Sequence, residues 1–278
     1  MDCKRWLALV ADLCAAYPLL RNFMIRLLCT DFDGTIFDDT ASKPISERFL
    51  QFVKNFRDNG GKWVISTGRD CHEMVATLEH YNIPVWPDYL SVVEREIYLF
   101  NNGGYVSLEP WNQRCKQVHD DLYHRLAPLL PALEDWIVAN YSDSILYKDG
   151  YSPLCFIAKD NPEADVVLSR VKEHLASVQD VSLVRNDVYA RLAHKNYHKG
   201  ATLKELERVL NISAEDVCVA GDHYNDLPMH QKQLSSYIIT PANAIDLVKD
   251  TVKEQGGYIS KNAFGDGVVE GVLVLSSK

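Results

Sequence analysis

Two aspartates, Asp31 and Asp33, lie one residue apart directly after an apolar run that is typical of a buried strand. Gly34 and Thr35, which follow them, predict a tight turn at the carboxyl end of that strand. Open α/β sheets keep their active sites at this end of their strands. Two carboxylates so close together are costly unless a cation neutralises them or one of them holds a proton. The pattern therefore indicates an enzyme.

A second pair of acidic residues, Asp222 and Asp226, follows another apolar run in the last quarter of the chain. The carboxyl ends of parallel strands share one edge of a doubly wound sheet, so we expect this pair to converge with Asp31 and Asp33. Such a cluster favours a hard divalent cation with oxygen ligands. Mg²⁺ is the usual ion where phosphate is the other ligand.

Groups that can bind phosphate lie at the end of another predicted strand and at the start of a predicted helix. Thr67 offers a hydroxyl at the end of a predicted second strand, and Gly68 after it lets the backbone approach a ligand closely. Lys199, beside Gly200, supplies a positive charge at the start of a predicted helix, although Lys195 could reach the same place from one helical turn earlier. An acidic cluster with a metal, a hydroxyl, a lysine and helix N-termini makes a phosphoryl site.

The order of the elements predicts an α/β fold with a doubly wound, Rossmann-like parallel sheet. An apolar strand over Ile25–Thr30 precedes a helix that begins after Ser46, and a second strand over Trp63–Ile65 precedes a helix opened by Asp70. The alternation resumes late in the chain with a helix, two strands and another helix. These later segments are 199–210, 217–220, 237–240 and 242–254.

Between the two halves lies a segment of different composition, which is rich in tyrosine, tryptophan and histidine. Its pattern indicates a helical stretch interrupted by Pro128 and Pro131, two short strands, a helix that begins at Asn161, and a hairpin around Asn186–Asp187. We therefore predict a core domain with an inserted α+β module. The predicted limits are 24–106 and 193–278 for the core and 107–192 for the insert.

Residues 1–23 are predicted to be an N-terminal extension. Lys4 and Arg5 precede an apolar run that resembles the start of a signal peptide, but Asp12 interrupts that run. We favour either an amphipathic extension or an upstream start codon, with Met24 as the functional beginning.

The composition limits the cellular locations and the classes of binding partner that we expect for this protein. A net charge of −9, without a compensating cluster of lysine and arginine, argues against nucleic acid and anionic membranes. No apolar run approaches the ~20 residues of a membrane span. Seven scattered cysteines without a Cys-x-x-Cys pair suit reduced thiols better than disulfides or a zinc site. We expect a cytoplasmic monomer or small homo-oligomer.

Four short motifs in a fixed order resemble those of the haloacid dehalogenase superfamily of phosphatases. They are Asp31–Thr35, Ser66–Arg69, Lys199–Gly200 and Gly221–Asp226. The segment between the second and third motifs resembles the type-IIB cap domain of that superfamily, as in its Cof-like and sucrose-phosphate-phosphatase-like members. The resemblance covers nearly everything from Met24 onward, and four ordered motifs are far more specific than one.

The resemblance implies a role for each acidic residue. Asp31 would be the nucleophile that attacks a phosphomonoester to form an aspartyl-phosphate, and Asp33 would be the general acid and base. Mg²⁺ would be held by Asp31, the backbone carbonyl of Asp33, Asp222, and Asp226 directly or through water. The ATPases of the superfamily carry threonine at the position of Asp33, so the aspartate predicts fast hydrolysis of the intermediate.

The resemblance also implies that the phosphoryl group is bound by Thr67, Gly68, Lys199 and Asn225, with Lys199 keeping Asp31 ionised. The predicted function is Mg²⁺-dependent hydrolysis of a small phosphorylated metabolite, a sugar phosphate. A phosphomutase of the phosphomannomutase type is the alternative, because such enzymes resemble this core and cap. A non-catalytic binding protein on the same scaffold is a third reading.

Four further residues are candidates for contact with the rest of the substrate. Arg69 is one, although it could also be solvated or pair with Glu73. His223 is another, although it could simply pack its loop. For Arg185 and Arg191, near the return from the insert to the core, a solvated surface position is the simpler expectation.

Overall fold

Twelve strands and eight α-helices make up the described part of the chain, residues 25–277 of a computed structural model. The predicted extension 1–23 lies outside these residues. The strands are β1 (Leu27–Thr30), β2 (Lys62–Ser66), β3 (Tyr89–Val92), β4 (Glu96–Asn101), β5 (Gly104–Ser107), β6 (Ile145–Tyr147), β7 (Cys155–Ile157), β8 (Val181–Asn186), β9 (Tyr189–His194), β10 (Val217–Ala220), β11 (Tyr237–Thr240) and β12 (Tyr258–Ile259). The helices are α1 (Glu47–Asp58), α2 (Cys71–His80), α3 (Trp111–Leu126), α4 (Leu130–Asn140), α5 (Asn161–His174), α6 (Lys199–Leu210), α7 (Asp246–Glu254) and α8 (Phe264–Ser276). Among the helices between residues 25 and 277, none has the length and the apolar surface that a membrane span requires.

β1 lies near the centre of an eight-stranded sheet with the order β12-β11-β10-β1-β2-β3-β4-β5. The strands from β12 to β3 run parallel, and β4 and β5 extend the sheet by antiparallel pairing. Thr30 at the end of β1 is in register with Ile65 of β2 and Ala220 of β10. The segments that follow these three strands therefore leave the sheet side by side. The predicted α/β fold with a doubly wound parallel sheet is confirmed, and the antiparallel strands are an addition to it.

Helices cover both faces of this sheet. Leu28 of β1 packs with Phe49 of α1 in one apolar cluster, and the neighbouring Leu27 packs with Leu203 of α6 in the other. Successive residues of β1 thus enter opposite cores, as a strand buried on both faces requires. Full burial of each such leucine or phenylalanine side chain contributes roughly 1.5–3 kcal/mol, so the two cores fix the position of β1.

The insert contains a second, four-stranded antiparallel sheet with the order β6-β7-β9-β8. The helices α3, α4 and α5 pack with this sheet in a separate apolar cluster that includes Leu122, Ile137 and Val167. The helical stretch breaks before Leu130, and Pro131 lies in the first turn of α4, where the missing N–H costs nothing. The predicted α+β character of the insert is confirmed.

The last predicted helix begins at Asp246 rather than at Ala242. The residues before it form a turn in which Asn243 bonds in two directions. Its Nδ2 donates to the carbonyl oxygen of Gly34 at 2.7 Å, and its Oδ1 accepts the N–H of Phe264 at 2.9 Å. These contacts with distant segments compete with helix formation, which the local pattern alone does not reveal.

The sequence pattern does not predict α8, because glycines interrupt its apolar run. The structure gives the reason for two of them. A Cβ added to Gly265 would lie 2.9 Å from the Cβ of Phe49, and one added to Gly271 would lie 2.6 Å from Cγ2 of Ile239. The helix packs directly on α1 and β11 at the points where it carries no side chain.

His119 is a buried histidine between α3 and β9. Its Nε2 accepts the N–H of His194 at 3.1 Å, so its proton lies on Nδ1, which donates to the carbonyl oxygen of Cys115 at 2.7 Å. Burial first, and the positive charge of Arg95 second, lower the pKa of His119 to about 3. The imidazole is therefore neutral in the folded protein, where both of its nitrogens have a partner.

We predict that mild acid destabilises the protein in part through His119. The unfolded chain takes up a proton near pH 6.5, whereas the folded chain does not do so until the pH approaches about 3. Stability present above pH 6.5 is therefore lost as the pH falls through this window. His119→Gln, which can still accept the bond from His194, should reduce the slope of the unfolding free energy by up to ~1.4 kcal/mol per pH unit.

Urea unfolding at a series of pH values between about 7 and 4.5 measures this slope. The control is His72→Gln, because His72 is exposed on α2 and should leave the slope unchanged. Equal slopes for the unaltered protein and His119→Gln would contradict the prediction.

Candidate active site

Asp31 lies at the carboxyl end of β1 and is 4% exposed. Its backbone N–H continues the pairing of β1 by donating to the carbonyl oxygen of Ala220 at 2.8 Å. Its Oδ1 accepts a bond from Nζ of Lys199 at 2.6 Å. Burial first, and the charge of Asp226 second, raise the pKa of Asp31, while Lys199 lowers it. The carboxylate therefore depends on a cation to stay ionised.

Asp222 and Asp226 follow β10 and face Asp31. Asp222 accepts a bond from Oγ1 of Thr35 at 2.6 Å, so the turn after β1 holds the turn after β10. Oδ1 of Asp226 accepts a bond from Lys199 at 2.7 Å, and its Oδ2 accepts the N–H of Asp222 at 2.8 Å. Burial and the charge of Asp226 raise the pKa of Asp222 to about 7.

The two turns meet at Gly34. Its φ is +81°, a conformation that favours glycine, and a Cβ added there would lie 2.4 Å from Oδ2 of Asp222. A side chain at this position would displace Asp222, so the glycine of the first motif is part of the acidic site.

Lys199 is the first residue of α6 and its side chain is wholly buried. Although burial lowers its pKa, the charges of Asp226 and Asp31 raise the pKa of Lys199 well above its usual value. Lys195, the other candidate, pairs instead with Asp180 at 2.9 Å on the surface. The structure therefore brings Lys199, and not Lys195, to the acidic cluster.

The acidic cluster fits a hard divalent cation. Asp31, Asp222 and Asp226 each present an oxygen, and these oxygens lie within 4.8 Å of one another. One lysine faces three buried carboxylates, and the raised pKa values of Asp31 and Asp222 show the cost of that excess negative charge. Carboxylate oxygens are the ligands that Mg²⁺ prefers, so the donor set and the charge both suit this ion.

Thr67, Gly68 and Asn225 lie next to this cluster. Thr67 is buried at the end of β2, and its Oγ1 accepts the N–H of Arg69 at 3.2 Å. Asn225 donates from Nδ2 to Oε1 of Glu94 at 3.0 Å, and its Oδ1 is buried without a partner in the described chain. The structure thus brings together all the residues for which the sequence predicts phosphate binding.

Asp33 differs from Asp31 in being only partly buried, with 40% of its side chain accessible. Nε and Nη2 of Arg69 donate to its two carboxylate oxygens at 2.9 and 2.6 Å. The guanidinium of Arg69 also lies 5.4 Å from the ring centroid of Phe32. The sequence leaves open a contact with the substrate, a solvated position or a pair with Glu73 for Arg69; the structure shows an ion pair with Asp33, which none of these alternatives includes.

A cleft of about 350 Å³ separates the insert from the core at this edge of the sheet. Its lining residues come from both parts of the chain: Asp31, Asp33, Thr67, Gly68, Arg69, Asp70, Glu73, Val93 and Glu94 from the core, and Tyr147, Asp149, Tyr151, Val184, Asn186, Tyr189 and Arg191 from the insert.

Arg191 lines this cleft, but His223 and Arg185 do not. Nδ1 of His223 accepts the N–H of Asp187 at 3.1 Å, and the guanidinium of Arg185 lies 4.7 Å from the ring centroid of Tyr224. The hairpin of β8 and β9 therefore rests on the loop after β10 through these residues. Their position is at a contact between insert and core, beside the cleft.

Two residues of the site have contacts that the sequence-based expectations do not include. Thr35 holds Asp222, and Glu94 contacts Asn225 while its carboxylate lies 3.9 Å from Nζ of Lys199. Glu94 follows the apolar run of β3, which is the same signal that marks Asp31 after β1. Recognising β3 as a strand would have pointed to Glu94.

Comparison with known proteins places the chain in a family. The model of a family described as sucrose-6F-phosphate phosphohydrolase matches residues 24–274. A phosphoglycolate phosphatase from Thermoplasma volcanium is 22% identical over 249 residues, which cover 89% of this chain and 96% of that protein.

Two solved structures show the same fold. One is the sucrose-phosphatase of Synechocystis sp. PCC6803 in complex with sucrose and phosphate, with a TM-score of 0.67 and 17% identity over 90% of this chain and 97% of that chain. The other is a haloacid dehalogenase-like hydrolase from Bacteroides thetaiotaomicron, with a TM-score of 0.62 and 18% identity over 90% of this chain and 99% of that chain.

The family model spans the core and the insert together, and with them all four motifs. The predicted membership is confirmed: the chain belongs to the sucrose-6F-phosphate phosphohydrolase family of the haloacid dehalogenase superfamily and is a phosphoric monoester hydrolase.

Proposed function

We propose that the protein is a Mg²⁺-dependent phosphatase that hydrolyses a small sugar phosphate through an aspartyl-phosphate on Asp31. The position of Asp31 carries the proposal. It lies buried at the end of β1, lines the cleft, and has its Oδ1 2.6 Å from Nζ of Lys199. The lysine favours the charged carboxylate, which is the nucleophilic form.

In the first step Asp31 attacks phosphorus and the bond from phosphorus to the leaving oxygen breaks. Asp33, which lines the same cleft, gives that oxygen a proton from its protonated form. Thr67 and Lys199 hold the phosphoryl oxygens, since positioning and charge neutralisation do most of the work in phosphoryl transfer.

In the second step Asp33, now a carboxylate, takes a proton from a water molecule that attacks phosphorus. The bond between phosphorus and Asp31 breaks and inorganic phosphate leaves. One water is consumed for each ester hydrolysed, and both aspartates return to their starting states.

The residues that would hold Mg²⁺ are Asp31, Asp222, Asp226 and, through its backbone carbonyl, Asp33. When bound there, the ion neutralises negative charge on the phosphoryl group and on the carboxylates around it. The support for this assignment is the close set of buried acidic oxygens, which has one lysine as its ammonium partner within residues 25–277.

The cleft supports a sugar phosphate as the substrate. Its volume of about 350 Å³ suits a small molecule. From the insert, Tyr147, Asp149 and Asn186 offer a hydroxyl, a carboxylate and an amide, which can bond to the hydroxyl groups of a sugar. The named relatives act on small phosphorylated compounds, as phosphoglycolate phosphatase and sucrose-phosphatase.

The cysteines support a cytoplasmic location. Within residues 25–277, Cys29, Cys71, Cys115, Cys155 and Cys218 are all free. Free thiols are typical of reducing compartments, so we infer that the enzyme works in the cytoplasm.

Replacing Asp31 by asparagine should lower the rate of p-nitrophenyl phosphate hydrolysis by on the order of 10⁴-fold or more, because an amide is a poor nucleophile. The release of p-nitrophenolate measures the rate, and circular dichroism verifies the fold. Asp39→Asn is the matched control, since Asp39 is exposed in the following loop and outside the lining of the cleft. Comparable rates for Asp31→Asn and Asp39→Asn would exclude Asp31 as the nucleophile.

We also expect a hexose 1-phosphate to give free phosphate and free sugar when the reaction is followed by ³¹P NMR. A mutase must keep its aspartyl-phosphate until the sugar has turned round, whereas Asp33 in the exposed cleft can activate water at once. An isomerised sugar phosphate as the main product would support a mutase instead.

Removing Mg²⁺ with EDTA should abolish turnover, and excess Mg²⁺ should restore it. Saturating Mg²⁺, at about 100 times its dissociation constant, should also stabilise the fold by about 2.7 kcal/mol, because the ion binds the folded cluster and not the unfolded chain. Thermal unfolding with and without Mg²⁺ measures the effect. The Asp222→Asn variant should lose most of the stabilisation by Mg²⁺. The Asp250→Asn variant should keep it, because Asp250 is exposed on α7. Full activity in EDTA would refute the metal assignment.

A further inference from the structure

Glu94 is a buried carboxylate that has no role in the chemistry proposed above. It is 3% exposed, in the turn between β3 and β4, and it lines the cleft beside Gly68. Its Oε1 accepts a bond from Asn225 at 3.0 Å. Its Oε2 has no hydrogen bond from any residue in 25–277, and Nζ of Lys199 lies 3.9 Å away. One carboxylate oxygen is therefore available to a ligand in the cleft.

The turn that carries Glu94 has an unusual backbone. The φ of Val93 is +45° and that of Glu94 is +68°, in the left-handed region that is unfavourable for residues other than glycine, above all for a β-branched one. The N–H of Val93 donates to the carbonyl oxygen of Arg69 at 2.9 Å, and that of Glu94 to the carbonyl oxygen of Thr67 at 3.1 Å. The loop after β2 thus fixes a strained turn that presents Glu94 to the cleft.

Arg191 reaches the same place from the insert. It is 5% exposed, and its Nη2 donates to the carbonyl oxygen of Gly68 at 2.7 Å. Its Nε and Nη1 are buried and have no hydrogen-bond partner within the described residues. A Cβ at Gly68 would lie 2.9 Å from Oε1 of Glu94 and 3.8 Å from Nη2 of Arg191, so the two side chains flank this glycine. Buried donors without partners are rare unless a ligand or water satisfies them.

The charge around the cleft is mostly negative. Its acidic lining residues outnumber its basic ones, and one of the basic ones, Arg69, is already paired with Asp33. A second negative charge on the substrate, beyond the phosphate, would therefore meet repulsion. The acidic lining residues are Asp31, Asp33, Asp70, Glu73, Glu94 and Asp149, and the basic ones are Arg69 and Arg191.

We propose that Glu94 and Arg191 form a leaving-group subsite that binds the hydroxyl groups of a neutral leaving group and excludes one that carries a carboxylate. A hydroxyl both donates, here to Oε2 of Glu94, and accepts, here from Arg191. A carboxylate can accept from Arg191 but has no proton for Glu94 and is repelled by it. This inference rests on the proposed phosphatase function. It separates the two kinds of compound in the names of the relatives, sucrose phosphate and phosphoglycolate.

The test compares kcat/KM for three substrates: glucose 6-phosphate, phosphoglycolate and p-nitrophenyl phosphate. The unaltered protein should prefer glucose 6-phosphate to phosphoglycolate by roughly 10-fold or more, because a polar site discriminates strongly against a group that leaves its atoms unpaired or repelled. Glu94→Gln should reduce that ratio by roughly 10-fold, since the amide removes the repulsion and weakens the bond to a hydroxyl.

Three variants make the result specific to this subsite. Glu94→Gly removes the carboxylate and relieves the strain at a φ of +68°, which offsets the loss of the bond from Asn225, so it should fold and lose the same selectivity. Arg191→Met should lower kcat/KM for glucose 6-phosphate more than kcat/KM for p-nitrophenyl phosphate, because the leaving group of p-nitrophenyl phosphate carries no hydroxyl groups. Glu96→Gln is the control, because Glu96 accepts a bond from Tyr98 at 3.0 Å outside the cleft and should leave all ratios unchanged.

The outcomes separate the two proposals. If the unaltered protein hydrolyses p-nitrophenyl phosphate but Glu94→Gln and Glu94→Gly keep the original substrate ratio, the subsite is refuted and the phosphatase function stands. A preference for phosphoglycolate in the unaltered protein likewise refutes the subsite. If the unaltered protein releases phosphate from none of the three substrates, the phosphatase function fails and the subsite fails with it.

Discussion

The contact between the buried ammonium of Lys199 and the carboxylates of Asp31 and Asp226 is the interaction on which the site depends. Complete burial of a lysine is costly, and close partners of opposite charge are what make it tolerable. Here the partners come from strands that are neighbours in the sheet, and the lysine comes from the first turn of a helix that packs on the same strands. The parallel order β10-β1-β2 therefore matters because it fixes these distances at 2.6 and 2.7 Å.

That contact also leaves a surplus of negative charge, which explains the chemistry the site is suited to. Asp31 keeps its charge only with cations nearby, while Asp33, two residues further along, is partly exposed and paired with Arg69. Two aspartates on one turn thus have different surroundings, and different surroundings permit different roles. A phosphoryl group with a divalent cation restores the balance of charge that the carboxylates alone leave unfavourable.

Much of the core site could be predicted from the sequence, because each of its residues directly follows an apolar strand or opens a helix. Local patterns locate strand ends, and the topology of parallel sheets brings those ends together. The choice between Lys199 and Lys195 needed the structure, since only the fold shows that Asp180 engages the second lysine. The pairing of Arg69 with Asp33 likewise joins residues 36 positions apart, so a local pattern does not reveal it.

The insert and its contacts were much harder to predict. His223 and Arg185 could face either the substrate or the contact between the β8–β9 hairpin and the loop after β10. The outcome depends on how the hairpin rests on that distant loop, and no local sequence pattern encodes this placement. The sequence does not predict a role for Glu94, because a strained turn at a valine and a glutamate carries no recognisable turn sequence. The positions of residues that are held by long-range contacts, rather than by their own segment, cannot be predicted from local sequence patterns.

The missing side chain of Gly34 has a consequence for how mutations in this enzyme should be interpreted. Since even one methyl group there would overlap an oxygen of Asp222, an alanine at this position would push aside an acidic group on another strand while deleting nothing. Such a variant would behave as if Asp222 itself had been altered. In this protein an unfilled volume the size of a methyl group is as much a part of the catalytic apparatus as any charged atom.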